Sequence, residues 1–343
     1  MKKKFFALVG FYLIVLIVSA VLFSYTVVLV VLCLGVLGVI CLVCGWVINN
    51  EVKKTEWFRS VIPDMNNYPT NEWYRQHDAR NYDIVNIGSS SAKYAFDYSN
   101  VSIKAFNWAE QPQSLSYGYK ILKTYFSILR RGGVVVISLG PFSGLDVDDI
   151  WPEARNDKYY YTLDPALIVN YRKVAMRRRY PLLVSPIRSL KELVKRFLRY
   201  PQNSGKVEKN RFLNDADKWY HNWLKEFEID DINAPLSEEN KRRQGKRVAL
   251  LSDIITFCQQ RDLRPVIVIP PLHPYLASKL LGIFRENYIY SFINKANTAR
   301  VPFYDYMDDE RFASDKYYRN TFFMNDAGAK YFTEIFLKEL RLI

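Results

Sequence analysis

Apolar residues are concentrated at the start of the chain, where residues 5–48 contain no charged side chain. A single helix of this length would be about 66 Å long, roughly twice the hydrocarbon thickness of a bilayer. The run therefore predicts two transmembrane helices, at about 5–23 and 27–48, with a short polar break at residues 24–26. A cleaved signal peptide has one short apolar core, and the second apolar run argues against that interpretation.

Basic residues flank the apolar run on both sides, and the positive-inside tendency of a helical hairpin would place both ends in the cytoplasm. They are Lys2, Lys3 and Lys4 before the run and Lys53, Lys54 and Arg59 after it. If only one of the two segments crosses the bilayer, the soluble part lies on the opposite side. The sequence thus predicts a cell-membrane protein with two spans and leaves the side of its soluble part open.

From about residue 80, short β-rich runs alternate with helical patterns, which predicts an α/β fold with an open parallel sheet and flanking helices. The predicted strands are residues 84–87, 134–139, 266–269 and 301–304. The predicted helices are residues 115–131, 237–262 and 327–342. In this organisation residues 1–50 form a membrane anchor, residues 51–79 a linker and residues 80–343 the α/β domain.

The stretch from about residue 145 to 235 breaks the alternation, being rich in aromatic and basic residues with few strand-like runs. We interpret it as an insertion within the α/β domain. Because insertions after strand ends lie over the ligand crevice of an open α/β sheet, it is a candidate lid or specificity element.

The net charge of +13 is concentrated between residues 172 and 199, where ten basic residues face the single acid Glu192. Such a field attracts anionic lipid, an anionic glycopolymer or nucleic acid. Apolar residues at helical spacing within it, including Ile187, Leu190 and Val194, predict an amphipathic helix. This helix either lies in a membrane interface or is a surface helix with a solvated basic face. No nucleic-acid reader motif accompanies the charge, so we expect no nucleic-acid partner.

Cysteine usage indicates neither a disulfide framework nor a zinc site. Three of the four cysteines lie in the second apolar segment, which leaves Cys258 alone in the soluble part. We expect neither a metal ion nor a cofactor.

Candidate chemistry lies where the first predicted strand runs into the sequence Gly88-Ser89-Ser90-Ser91. Small residues allow a sharp backbone turn, and a helix start leaves backbone N–H groups available. Such a turn can hold a serine hydroxyl outward and supply an oxyanion donor. A simple turn or helix cap explains the same residues.

Residues 86–97, which read Asn-Ile-Gly-Ser-Ser-Ser-Ala-Lys-Tyr-Ala-Phe-Asp, are similar to the first block of SGNH/GDSL hydrolases. They most resemble the membrane-anchored, DltD-like group associated with cell-wall and capsule polymers. Further similar segments are residues 106–108, 111–115, 138–143 and 325–330. The resemblance implies a flavodoxin-like three-layer fold with Ser90 as nucleophile. It offers the backbone N–H of Ser90 and the amides of Asn107 and Gln111 for the oxyanion hole, while an expected Asn falls on Phe142.

The last block of that family reads Asp-x-x-His, and its alignment places the Asp at Asn320 and the His at Phe323. Phe cannot accept the serine proton, and Asn cannot supply the charge that stabilises a protonated base. His273 is a possible alternative base, because it follows a predicted parallel strand and such loops gather at one sheet edge. A histidine packed in a proline-stiffened loop is the other interpretation.

Two functions follow from the resemblance. The first is a membrane-anchored esterase or O-acyltransferase acting on a cell-envelope or capsular glycopolymer through Ser90, with an impaired or rebuilt triad. The second is a catalytically inactive protein that keeps the fold and binds a glycopolymer or a membrane-protein partner. The expected partners are an envelope glycopolymer or acylated carrier, together with an anionic membrane surface contacted through residues 172–199.

Overall fold

The computed structural model describes residues 14–15, 17–18, 25–61, 81–145, 153–198, 211–280 and 282–343. The chain divides into two compact units. We call residues 1–62 and 175–202 the anchor unit, and residues 63–174 and 203–343 the α/β unit. The anchor unit therefore combines the apolar N-terminal run with part of the predicted insertion.

The α/β unit contains the strands, and helices occur in both units. The strands are β1 Tyr82–Ile87, β2 Ala105–Asn107, β3 Leu129–Ser138, β4 Arg264–Ile269 and β5 Phe303–Asp305. The helices are α1 Tyr25–Val52, α2 Glu56–Arg59, α3 Ser90–Ala95, α4 Leu115–Tyr125, α5 Tyr171–Arg179, α6 Pro181–Val184, α7 Pro186–Phe197, α8 Arg211–Glu226, α9 Glu238–Gln259, α10 Pro274–Ala277, α11 Ser291–Ala296 and α12 Asp326–Glu339. A π-helical turn, Arg285–Tyr290, precedes α11.

The five strands form one parallel sheet in the order β2-β1-β3-β4-β5. This confirms the predicted α/β class. The order reverses direction between β1 and β3, and in open α/β sheets a ligand crevice forms outside the strand ends at such a reversal. A binding or catalytic site is therefore expected at the segments that follow β1 and β3.

Both faces of the sheet are buried, because alternate residues of a strand point to opposite faces. Ile84 and Val136 pack with Phe332 and Phe336 of α12 on one face. On the other face the neighbouring strand residues, such as Val85, pack in a separate cluster with residues of α4, α9 and α11. The result is a sheet between two layers of helices.

Several elements differ from the sequence expectation. Helix α4 ends at Tyr125, not at residue 131, because Leu129 already pairs with Tyr82 of β1. Strand β5 covers residues 303–305 instead of 301–304. Strand β2 was not predicted, since it is three residues long and only one of them is buried.

In the anchor unit, α1 corresponds to the second predicted transmembrane segment. It is long and apolar enough to cross a membrane, with a mean hydropathy of 3.3 over 18 residues and none of that window buried. Of the first predicted segment, 5–23, only residues 14, 15, 17 and 18 are described. One apolar helix is therefore observed, and the predicted two-helix hairpin is not shown by the described residues.

Candidate functional site

The serine turn lies at the sheet reversal, between the carboxyl end of β1 and the start of α3. A Cβ atom at Gly88 would lie 2.6 Å from the Cβ of Ala92 and 2.8 Å from the carbonyl oxygen of Ser138. Such distances are far inside van der Waals contact. Only glycine therefore lets β1, α3 and β3 approach one another this closely.

Gln113 holds the serine turn in place. Its side-chain amide donates to the carbonyl oxygens of Gly88 and Trp108, both at 3.0 Å. Its backbone N–H donates to the hydroxyl of Ser89 at 3.2 Å. Gln113 lies in one of the segments similar to the SGNH/GDSL hydrolases, but no role was predicted for it. The sequence feature that could have identified Gln113 is its amide side chain, which lies two residues from the predicted oxyanion-hole residue Gln111.

Ser90 is the first residue of α3 and is nine-tenths buried. Among the described residues, its hydroxyl has no hydrogen-bond partner. Ser91, by contrast, approaches β3, because its hydroxyl would lie 3.9 Å from a Cβ built on Gly140. Ser90 thus lies where the resemblance implies a nucleophile, and its hydroxyl makes no contact with a base among the described residues.

Both candidate amides make hydrogen bonds to groups other than the serine. The Asn107 amide donates to the carbonyl oxygen of Phe96 at 3.0 Å and accepts from Asn86 at 2.7 Å. It therefore caps the carboxyl end of α3, about 8 Å from the end that carries Ser90, at about 1.5 Å per residue. The side-chain oxygen of Gln111 accepts from the Tyr94 hydroxyl at 2.6 Å, and Gln111 is exposed.

The two positions that should hold acid and base have structural roles. The side-chain oxygen of Asn320 accepts from the backbone N–H groups of Phe322 and Phe323, at 3.0 and 2.7 Å. This hydrogen bonding closes a local turn, as is common for Asn. The ring of Phe323 packs against Tyr94 of α3, with centroids 4.8 Å apart. The 320–323 segment does approach the serine helix, but it presents an aromatic ring there.

Helix α8, from the predicted insertion, packs over this segment. Trp219 lies 4.9 Å from Phe322 and 5.6 Å from Phe323, and Trp223 lies 4.9 Å from Phe322 and 5.2 Å from Phe142, measured between ring centroids. We call these five residues the aromatic cluster. Phe142 is the residue at the position where the family has an Asn. Apolar rings therefore fill two positions at which the resemblance implies polar groups.

A hydrogen-bonded pair ties α8 to the same segment. The carboxylate of Asp215 accepts from the backbone N–H of Thr321 at 2.8 Å and from its hydroxyl at 2.6 Å. Thr321 is fully buried. Asp215 is not among the predicted site residues, because nothing in the spacing of α8 indicates a partner about one hundred residues away.

His273, the possible alternative base, has both ring nitrogens engaged. Nε2 lies 2.9 Å from the Asp315 carboxylate, and Nδ1 accepts from the backbone N–H of Tyr275 at 3.3 Å. Phe212 of α8 stacks on the imidazole with centroids 4.5 Å apart. The residue is 2 % exposed and caps the start of α10. These contacts leave neither nitrogen available to a serine hydroxyl in this arrangement.

The remaining ionisable groups that could serve as a base or an acid are two histidines and the carboxylate of Asp305. His221 lies on the exposed side of α8, with Nδ1 2.7 Å from the carbonyl oxygen of Asp217, and His77 lies outside the described residues. Asp305, at the end of β5, accepts from the Tyr290 hydroxyl at 2.8 Å. Burial and this carboxylate raise the pKa of Tyr290 to about 12, so the phenol stays protonated at neutral pH.

A cavity of about 670 Å³ lies beside α3, toward β2 and the start of α12. Its lining combines aromatic rings, such as Tyr82 and Tyr94, with charged groups, such as Lys93, Glu110 and Asp326. Lys93 and Glu110 pair across it at 2.7 Å. Ser90 is not among the lining residues. This cavity is therefore adjacent to the serine turn and does not open over Ser90.

Within the described ranges, no three acidic, histidine or cysteine side chains come together to hold a metal ion. Comparison of the chain with protein-family models, with curated proteins and with solved structures finds no match.

Proposed function

We propose that this protein is a membrane-anchored, SGNH-like protein of the cell envelope that binds a glycopolymer without turning it over. The observation that carries the proposal is the loss of a base. Phe323 stands at the position of the catalytic histidine, and both nitrogens of His273 are engaged elsewhere. The two-span anchor in the cell membrane belongs to the same proposal and rests on the apolar run.

The energetic reason is that a serine hydroxyl is a weak nucleophile until a neighbouring group takes its proton. A positioned general base contributes about 10²- to 10⁴-fold to such reactions. The ring of Phe323 also packs against two further rings, those of Tyr94 and Trp219, where a catalytic histidine would need a carboxylate partner. A fold of this kind can retain a binding crevice after it has lost this contribution, because fold and chemistry are separable.

The cavity beside α3 supports the choice of a glycopolymer as ligand. Sugar rings present apolar faces, which pack on aromatic rings, and hydroxyls, which need donors and acceptors. Tyr82 and Tyr94 supply the first kind of contact, and Asp97, Glu110 and Lys93 supply the second. The cavity volume falls within the range of small-ligand sites, about 300–1,000 Å³.

Labelling with a fluorophosphonate probe tests the absence of catalysis. We expect the detergent-solubilised protein to label no more than its Ser90→Ala variant, with circular dichroism confirming that both are folded. Labelling that depends on Ser90 would contradict the proposal.

Equilibrium binding to purified wall and capsular polysaccharides tests the ligand. We expect Tyr94→Ala to weaken binding by about tenfold, since one aromatic contact contributes about 1–1.5 kcal/mol. The matched control is Ser90→Ala, which should bind like the wild type. Equal affinity of all three proteins, or no binding, would argue against this cavity as the site.

A second candidate, acyl transfer through Ser90, is favoured by the construction of the serine turn itself. Gly88 and Gln113 hold Ser90 at the sheet reversal, the place where a nucleophile is useful. In this reaction a base would take the Ser90 proton, the Ser90 oxygen would form an ester with the acyl group, and the donor's leaving group would depart with a proton. A polymer hydroxyl would then attack this ester, break its bond to Ser90 and return a proton to the serine oxygen. Ser90-dependent labelling that is lost in His273→Ala or His77→Ala would favour this candidate and identify its base.

A further inference from the structure

Helix α7 carries its large apolar side chains on the outside of the anchor unit. Ile187 is 84 % exposed and Phe197 is 71 % exposed, and Leu190 and Val194 are each more than half exposed. At about 100° per residue, these positions fall within an arc of about 80°. Four large apolar side chains on one face of a short helix form a patch that soluble proteins rarely present to water.

This exposed arc is not the face by which α7 packs on its own unit. Ser189 and Leu193, the buried residues of α7, lie on a different side of the helix. The Ser189 hydroxyl donates to the carbonyl oxygen of Pro181 at 3.0 Å, which fixes α7 on α6. Leu183 of α6 is 72 % exposed. The helix is thus held by one face while its apolar face points outward.

Basic residues occupy a separate arc of the same helix. Arg188, Lys191 and Lys195 are exposed and follow the apolar arc around the helix. The one acid of α7, Glu192, pairs with Lys195 at 2.9 Å. Around α7, the apolar arc is therefore followed by the basic arc and then by the packed face.

Helices α6 and α7 are joined to one end of the apolar helix α1. Asn49 of α1 donates to the carbonyl oxygen of Arg179 at 3.1 Å and accepts from the backbone N–H of Leu182 at 3.2 Å. Asn49 is 8 % exposed. Farther along, Arg196 of α7 lies 3.3 Å from the Glu51 carboxylate. The C-terminal end of α1 and the amphipathic helix are thus one local structure.

The position of this junction sets the depth of α7. Residues 27–48 span about 33 Å at about 1.5 Å per residue, close to the hydrocarbon thickness of about 30 Å. Asn49 follows directly, so it falls at the boundary between hydrocarbon and headgroups when α1 spans the bilayer. Helix α6 is joined to α1 at Asn49, and α7 is fixed on α6 through Ser189 and joined to α1 at Glu51, so both lie at the same level.

We infer that α7 lies in the membrane interface as a second contact with the bilayer, and that its occupant is anionic lipid. The apolar arc enters the acyl-chain boundary, and the basic arc contacts phosphate headgroups. This is the arrangement that binds interfacial amphipathic helices to membranes, with each basic side chain adding to the attraction of an anionic surface. The inference concerns the anchor unit alone and does not depend on the function proposed for the crevice.

Spin labels placed on the two arcs test the inference in the full-length protein. Labels at Leu190 and Val194 report the apolar arc, and labels at Lys191 and Lys195 report the basic arc, in a background without the native cysteines. The protein is reconstituted in nanodiscs of phosphatidylcholine or of phosphatidylcholine with phosphatidylglycerol. Collision rates with oxygen, which enters lipid, and with a water-soluble nickel chelate give the depth of each label.

We expect a severalfold higher ratio of oxygen to nickel collisions at Leu190 and Val194 than at Lys191 and Lys195. The difference should increase with phosphatidylglycerol. In the Arg188→Gln variant, which removes one basic-arc charge outside the labelled positions, this increase should be smaller.

Two outcomes would overturn the inference. Equal ratios at all four positions would place α7 in water as an ordinary surface helix. Low collision rates with both reagents at Leu190 and Val194, together with spin–spin broadening, would show a second copy of the chain covering the apolar arc. A Leu190→Ser variant is the folding control. Because this side chain is exposed, its replacement should leave the circular dichroism spectrum unchanged.

Discussion

Two helices of the predicted insertion, α7 and α8, have similar sequence patterns and opposite surroundings. Each places apolar residues at helical spacing among charged ones. Helix α8 buries Trp223 against Phe142 and Phe322 in the α/β unit. Helix α7 leaves Ile187 and Phe197 exposed on the anchor unit.

The comparison teaches that amphipathic periodicity specifies a helix and an apolar face but not the partner of that face. The partner of α8 is the 320–323 segment, held by Asp215 as well as by the rings. No described residue covers the apolar arc of α7. The same stretch of sequence thus contributes to covering residues 320–323 and, by our inference, to contacting a bilayer.

The largest expected effect comes from truncating the apolar face of α8. Trp223→Ala should lower the free energy of unfolding by about 3–5 kcal/mol, because it removes a buried ring from the aromatic cluster. Phe197→Ala on α7 should change it by less than about 0.5 kcal/mol, because that ring is exposed. Urea unfolding in detergent, followed by far-UV circular dichroism, measures both. Similar losses in the two variants would break the comparison.

Two acidic residues of α8 test the same comparison between α7 and α8. Asp215→Ala should cost about 3 kcal/mol in the same unfolding experiment, because it leaves the buried N–H and hydroxyl of Thr321 without an acceptor. Asp217→Ala is the matched control. It removes a partly exposed ion pair with Lys279, at 2.6 Å, which should contribute little to stability because water and salt screen it. If the control were the more damaging change, the Asp215 contact would not be what holds α8.

A third prediction concerns the segment that α8 covers, and it tests whether two side chains alone account for the missing acid and base. The double variant Asn320→Asp, Phe323→His restores the family residues. We expect it to lose about 2 kcal/mol of stability, because a polar imidazole replaces an apolar ring between Tyr94 and Trp219. The carboxylate at position 320 should keep the backbone N–H groups of positions 322 and 323 as its partners. We expect no gain in fluorophosphonate labelling. Labelling that appears and depends on Ser90 would show that the triad was lost by substitution alone.

The smallest effect concerns the junction of α7 with α1. Asn49→Ala should raise the local opening of the Leu182 amide by about 5- to 30-fold, since it removes hydrogen bonds contributing about 1–2 kcal/mol. Hydrogen exchange in nanodiscs measures this. The neighbouring Asn50→Ala is the control and should leave exchange unchanged, because among the described residues Asn50 has no side-chain hydrogen bond. No change in either variant would mean that Asn49 does not hold the junction.

The candidate site was predictable where chemistry is local. The Gly88-Ser89-Ser90 turn after a strand, and the place of that strand in a parallel sheet, follow from residues close together in the chain. The role of Gln113 and the fate of His273 do not. His273 meets Asp315 and Phe212, which lie 42 and 61 positions away, and no spacing rule relates them.

The sequence by itself determined an apolar helix ending near residue 50, a parallel α/β sheet and a serine turn after its first strand. Each depends on the periodicity of apolar residues or on the conformational freedom of glycine, which are properties of short segments. The tertiary structure alone decided that Phe323 packs on Tyr94, that α8 covers residues 320–323 and that the apolar arc of α7 faces outward. Those outcomes depend on which surfaces meet, and burial is settled only when distant segments are brought together.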